Sequence, residues 1–353
     1  HPNPMEGVAF FDAAAGSLGQ GLSVAAGLGL AAREDGIDQR IYCVIGDGES
    51  REGQIWEAVD FIMDHDLTNV LPIINCNGLG QAAAVSPQQS PERIAAKLEA
   101  AGVTVITIDG HNPAQIRKAF DTFAAGPATP MAVVARTVKG WGVPSMQGGG
   151  WHGKPAKGEM LTKALQELAS TGSTLSVSIG GDSLTIHPPT TTSRREAEIT
   201  TPMTMKEAAD RWDMRTLLQA GTLSTRKAYG LALRALGHTD SRVWALDADT
   251  QNSTFAEWFA KDADLSSRFA ECRIAEQNMM AAAAGFSDCG IIPVVSTFAS
   301  FGVMRAHEQF RTAICYANRN VKLCCSHIGL DTGPDGATAQ MLEDLATMRA
   351  IPN

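Results

Sequence analysis

The sequence predicts an α/β protein built from two mainly parallel sheets, each flanked by helices. Three observations carry this. Short apolar runs alternate with amphipathic stretches along most of the chain. Polar signatures follow directly after the apolar runs, and the carboxyl ends of parallel strands are where such sheets hold ligands. A stretch rich in Ser, Thr, Gly and Pro separates two such alternating patterns.

The first pattern is assigned to 1–170. Gly16-Ser17-Leu18-Gly19-Gln20-Gly21 leads into a small Ala/Gly-rich helix, Leu22–Arg33. Ile41–Ile45, Val70–Ile74, Val103–Ile108 and Met131–Ala135 read as strands. Gln54–Met63 and Pro91–Ala101 read as helices between them. Strands separated by helices make βαβ units and hence a parallel sheet. Residues 171–215 read as a linker, with a short hairpin around Gly180-Gly181. The second pattern, 216–353, has a helix from Thr225 to about Gly237 and strands Val243–Leu246, Ile291–Val295 and Val321–Cys325. It closes on a helix just before Ile351-Pro352-Asn353.

Composition narrows the function. A chain of 353 residues with 44% hydrophobic content can bury two α/β cores. A net charge of −9 argues against a nucleic-acid partner, which calls for a basic stripe. An anionic ligand would need local compensation from a metal ion, Lys, Arg or a helix N-terminus. The seven cysteines include no C-x-x-C spacing, so reduced thiols of a cytoplasmic protein are expected. No apolar run reaches the roughly 18 residues of a membrane span. The chain opens on His1-Pro2-Asn3-Pro4 and reads as a start within a domain, incomplete at both ends.

The chemistry-bearing residues follow the strands. Gly46-Asp47-Gly48-Glu49 ends one, and Asn77-Gly78-Leu79 ends the next. The Asp47 carboxylate, the Asn77 side-chain oxygen and the Leu79 carbonyl are hard ligands. With diphosphate oxygens and water they would complete a Mg²⁺ or Ca²⁺ site. Each dipeptide alone is also an ordinary turn. The G-x-x-G-x-G segment at Gly16 is either a tight helix start or backbone passing beside a flat cofactor. Glu276, in Ile274-Ala275-Glu276-Gln277-Asn278-Met279, precedes an Ala-rich helix. It is either a helix-start carboxylate or a buried carboxyl. In the second case it has few competing partners, stays neutral and donates a proton to a ring nitrogen. Phe298 and Phe301 follow a strand and are either core aromatics or stacking surfaces.

Together these segments resemble the transketolase family, closest to its animal type. The remaining shared motifs are Trp151-His152-Gly153-Lys154-Pro155, Ser224-Thr225-Arg226-Lys227-Ala228-Tyr229-Gly230 and Asp247 to Phe255. The resemblance covers nearly the whole chain except the linker. It implies two thiamine-diphosphate-binding-fold domains, a diphosphate-binding one over 1–170 and a pyrimidine-binding one over 216–353. It implies transfer of a two-carbon ketol unit between sugar phosphates, using thiamine diphosphate and Mg²⁺ or Ca²⁺. By the same resemblance Asp47, Asn77 and Leu79 hold the metal, and Gly16, Ser17, Leu18 and Gly48 line the cofactor. Lys139 and His152 contact the cofactor, with His152 also facing substrate. Glu276 bonds the aminopyrimidine and Phe301 stacks on it. Arg226 and Ser253 grip the sugar phosphate, His327 and Asp335 meet the sugar hydroxyls, and His1 is a further catalytic histidine. The family also implies a homodimer with the active site at its interface. Another thiamine-diphosphate enzyme, such as 1-deoxyxylulose-5-phosphate synthase or a split transketolase-like subunit, is the alternative enzyme. A non-catalytic cofactor-binding subunit is the alternative of another class.

Overall fold

The computed structural model describes residues 12–174, 197–330 and 332–353. Within them the chain forms two compact units. Residues of 42–53 and 66–192 make one, and residues of 1–41, 54–65 and 193–353 make the other. The hairpin expected around Gly180-Gly181 lies outside the described residues.

The first unit is built on a four-stranded sheet in the order β1-β2-β4-β3. Its strands are β1 (Ile41–Gly46), β2 (Val70–Cys76), β3 (Thr104–Asp109) and β4 (Met131–Arg136). β2 and β3 each pair with β4 in parallel. The four apolar runs therefore form strands where the sequence places them, within a residue or two. Leu71, Ile108, Phe123, Met131 and Val133 form the core on one face. The helices of this unit are α3 (Pro91–Ala100), α4 (Pro113–Ala124) and α5 (Gly158–Ser173). Ser90 and Asn112 accept backbone N–H bonds as the N-caps of α3 and α4, and Pro follows each cap.

The second unit is built on a sheet in the order β6-β5-β7-β8, parallel throughout. Its strands are β5 (Val243–Asp247), β6 (Phe269–Glu271), β7 (Ile292–Phe298) and β8 (Lys322–Ser326). β6 is three residues long, too short to leave a periodic signal. Helices α1 (Gly21–Glu34) and α2 (Gly53–Asp64) belong to this unit. So do α6 (Met205–Arg211), α7 (Arg215–Gln219), α8 (Thr225–Thr239), α9 (Gln251–Thr254) and α10 (Glu257–Ala260). They are followed by α11 (Glu276–Asp288), α12 (His307–Gln309) and α13 (Asp344–Arg349). Two π-wound turns, Ser300–Arg305 and Phe310–Tyr316, flank α12.

α1 is apolar or small all round and almost wholly buried, as a central helix must be. It packs on α11 at backbone distance. A Cβ added at Gly27 would lie 2.1 Å from the Ala282 carbonyl oxygen, and one at Gly285 would lie 2.3 Å from that of Val24. The Ser/Thr-rich composition before Thr225 suggests open linker. The structure shows instead that α6 carries a capping box between Thr204 and Glu207 and buries Ala208 and Ala209 against α8. Local caps and alanines outweigh the composition there. All seven cysteines are free thiols. Among the described residues no helix is long and apolar enough to cross a membrane.

Candidate active site

In the first unit the candidate residues gather at the carboxyl ends of β1, β2 and β4. Asp47 is buried, and its side chain is fixed by two backbone donors. Gly48 N–H donates to Oδ1 at 2.7 Å, and Gly78 N–H donates to Oδ2 at 2.6 Å. The Asp47 N–H donates to the Asn75 carbonyl at 3.2 Å, which ties the two strand ends together. Asn77 Oδ1 accepts from Leu79 N–H at 2.9 Å, and Leu79 bridges Ala84 across a small hairpin. Asp47, Gly48, Asn77 and Leu79 thus share one turn cluster. Each carboxylate oxygen keeps a lone pair beyond the bond it accepts.

A Cβ at Gly46 or Gly48 would meet nothing closer than 3.7 Å, so packing within the chain does not demand either glycine. What their small size leaves is backbone open to close approach.

Lys139 and His152 stand together on the loop after β4, with Lys139 Nζ 3.4 Å from His152 Nδ1. Two supports hold this loop. Thr137 donates through its hydroxyl to Asn75 Oδ1 at 2.5 Å and through its N–H to the Cys76 carbonyl. His111 Nε2 accepts from Val138 N–H at 2.8 Å, and its ring stacks on Trp141 at 4.7 Å. The sequence reading missed His111. It follows Asp109-Gly110 at the end of β3, so the strand-end rule that found the others could have found it.

In the second unit Glu276 opens α11 and is 3% exposed. The expectation that it has few competing partners needs correction. Arg305 Nη1 donates to both of its carboxylate oxygens, at 2.9 and 3.0 Å. The reason is that the π-wound turn after β7 carries Arg305 back over the start of α11. Helix periodicity cannot foresee such a turn. Nearby, Glu57 accepts from the Asn278 N–H at 3.0 Å. Burial pushes the Glu57 carboxyl up, the Asn278 bond opposes this, and the Glu276 charge adds to it.

Phe301 is parallel to Phe298 with centroids 5.5 Å apart, and the Arg305 guanidinium carbon sits 4.5 Å from its ring centre. Phe298 in turn stacks on His327 at 3.7 Å. His327 Nδ1 is 2.7 Å from the Ser326 hydroxyl, and its φ of +58° places a non-glycine residue in the left-handed region.

A cavity of about 680 Å³ opens beside His327. It brings together Arg226, His327 and Asp335, with Tyr229, Thr254 and Ser326 also in its wall. Ser253 joins them through its backbone, because Arg226 Nη1 donates to its carbonyl at 2.8 Å. Arg226 lies in the first turn of α8, where the helix N-terminus adds to the positive potential. Asp247, at the end of β5, fixes the Ser253 turn. It accepts from the Thr250 N–H, the Thr250 hydroxyl and the Thr254 hydroxyl at 2.6, 2.9 and 3.0 Å. Burial pushes its carboxyl up to about 7 against these bonds. Burial likewise pushes up the Tyr229 phenol and the Cys324 thiol in the cavity wall.

Gly16, Ser17 and Leu18 precede α1 in this unit. The Ser17 hydroxyl donates to the Glu308 carboxylate, and Leu18 is 57% exposed. Phe301 is not in the cavity wall. His1 lies outside the described residues.

Comparison with known proteins gives one consistent result. The family profile "Transketolase, thiamine diphosphate binding domain" matches residues 1–176, and "Transketolase, pyrimidine binding domain" matches 221–353. Mouse transketolase is 37% identical over 360 residues, covering 100% of this chain and 53% of its own length. Human transketolase gives the same figures. Mouse transketolase-like protein 2 is also 37% identical, covering 54% of its length. The chain thus spans about half the length of the curated relatives it matches. Among solved structures, transketolase from Campylobacter jejuni superposes with a TM-score of 0.73 at 22% identity, over 96% of this chain and 56% of that one. Transketolase from Pichia stipitis, in complex with sedoheptulose 7-phosphate, gives 0.74 at 17% identity, over 100% and 58%. At these identities the structural likeness speaks to the fold.

Proposed function

The chain belongs to the transketolase family, and from that premise we propose that it carries ketol transfer from a ketose phosphate to an aldose phosphate. The observation that supports this most is the cavity, where one guanidinium, one imidazole and one carboxylate converge at the end of a parallel sheet. A cation at a helix start suits the phosphate, and His327 with Asp335 suits sugar hydroxyls. Sugar-phosphate transfer is thereby favoured over the other thiamine-diphosphate chemistries.

We assign the divalent ion, Mg²⁺ or Ca²⁺, to Asp47, Asn77 and the Leu79 carbonyl. Residues 1–170 would hold the diphosphate and 216–353 the pyrimidine, with 171–215 between them. Gly16, Ser17, Leu18 and Gly48 would line the cofactor and Lys139 would meet its charge. When bound, thiamine diphosphate supplies a carbanion centre and an electron sink. The chain's own part is to bind and to move protons. Arg226 and Ser253 fix the phosphate end of the sugar. His152, His327 and His1 give or take protons at the sugar oxygens as the C2–C3 bond breaks. Asp335 orients a hydroxyl, and Glu276 and Phe301 would hold the pyrimidine ring. A cytoplasmic homodimer with the active site at its interface completes the reading.

The test is formation of glyceraldehyde 3-phosphate from xylulose 5-phosphate and ribose 5-phosphate. We expect transfer only with both thiamine diphosphate and a divalent ion present, abolished by chelation. His327→Ala should lower the rate by about 10²–10⁴-fold, the usual worth of a general acid–base group. Cofactor-loaded protein that transfers no ketol unit would refute the proposal.

A further inference from the structure

We propose that Arg305 is a placeholder for the cofactor's pyrimidine ring: it occupies Glu276 and Phe301 together and must be displaced when the ring enters. This rests on the cofactor reading given above.

The geometry is specific. Both hydrogen bonds to Glu276 come from the single nitrogen Nη1, at 2.9 and 3.0 Å from the two carboxylate oxygens. One nitrogen donor thus takes up both oxygens of the carboxylate, the group to which the cofactor reading assigns the ring nitrogen. The same guanidinium lies 4.5 Å from the centre of the Phe301 ring, within the range of about 6 Å for cation–π attraction. A planar group thus presents a nitrogen to the carboxyl and lies over the aromatic ring. An aminopyrimidine needs both of those contacts, and the two groups cannot make them at once.

The pair is also built to open from one side. Glu276 is 4% exposed at its side chain, whereas Arg305 is 49% exposed. The arginine can swing to water and the glutamate cannot. A bare carboxylate at that depth is costly, so the free chain gains from a cation there. Arg305 ends the π-wound turn Ser300–Arg305, a winding that recurs at functional sites. Displacement therefore costs the energy of one half-exposed ion pair, which cofactor binding must supply.

The test uses Arg305→Met, which keeps length and removes charge, and Arg305→Lys, which keeps charge and removes the planar group. Thiamine diphosphate binding is measured by titration calorimetry with saturating Mg²⁺, alongside melting curves with and without cofactor. Arg305→Met should bind the cofactor about five-fold more tightly, the worth of a half-exposed ion pair. It should melt lower when free and gain a larger shift on loading than the unsubstituted chain. Arg305→Lys should fall between the two. In a Glu276→Gln background Arg305→Met should change affinity little, because the pair is already broken. Equal or weaker binding by Arg305→Met, or an unchanged cofactor-induced shift, overturns the inference. No binding by the unsubstituted chain overturns the cofactor reading itself, and this inference with it.

Discussion

Single side chains at the carboxyl ends of the strands owe their behaviour to what surrounds them after folding. Asp247 is an example. Three donors reach its carboxylate, yet burial dominates and pushes it up to about 7 from the ordinary value near 3.8. Between about pH 4 and 7 the folded chain therefore keeps a proton that the unfolded chain has released. The folded state binds more protons, so this group's contribution falls as pH rises and is fully lost above about 7. Each unit of displacement is worth about 1.4 kcal/mol, enough to register in urea titrations. Asp247→Asn keeps an acceptor for the two Thr250 donors, turns an amide N–H toward the Thr254 hydroxyl oxygen and removes the titration. We expect the variant to lose less stability than the unsubstituted chain between pH 5 and pH 8. Equal losses would show that Asp247 is charged throughout. Asp247 was visible as the first residue of a motif, but its role was not, because depth of burial is a property of the fold. The same holds for Arg305, which lies one helical turn after Phe301 but 29 residues from Glu276, a pairing no local spacing reveals.

At the scale of elements, strands were the most legible features. Ile41–Ile45 and Met131–Ala135 are apolar runs bounded by polar turns, and both are strands with ends displaced by at most one residue. Chain segments governed by tertiary contact were less legible. β6 has three residues, and α6 is set by a capping box inside a Ser/Thr-rich stretch. The close approach of α1 and α11 was signalled only as small residues. Its physical content is that Gly27 and Gly285 each face a carbonyl of the other helix. Gly285→Val would force the axes apart, because backbone carbonyls cannot turn aside as a flexible side chain can. Overpacking of this kind costs about 3 kcal/mol or more. We expect a clear fall in the urea midpoint, while Gly36→Ala, with no atom within 4 Å, costs only the roughly 1–2 kcal/mol of holding a side chain at its φ of +66°. A Gly285→Val variant as stable as Gly36→Ala would mean the two helices do not pack in this way.

For the whole molecule the question is what covers the exposed apolar side chains that neighbour Glu276, Arg305 and His327 along the chain. Ile274, two residues before Glu276, is 73% exposed, and Met304, next to Arg305, is 51% exposed. Leu330, Leu342 and Leu345 are 67, 68 and 74% exposed. Single exposed apolar residues are ordinary, so their exposure here is read together with the proposed homodimer. The proposed second copy of the chain would cover them, because a two-fold axis buries equivalent residues of the two protomers against each other. That arrangement would let the cofactor lie between the Asp47–Asn77 cluster of one protomer and the Glu276–Phe301 surface of its partner. Assembly and cofactor binding would then be linked, since a ligand held by both protomers stabilises the dimer by mass action. Sedimentation velocity over a dilution series should show a dimer whose dissociation is suppressed by thiamine diphosphate and Mg²⁺. Ile274→Asp should shift the equilibrium toward monomer and weaken cofactor binding in parallel. A species that stays monomeric while fully loaded with cofactor would place the whole site within one chain and rule out the shared arrangement.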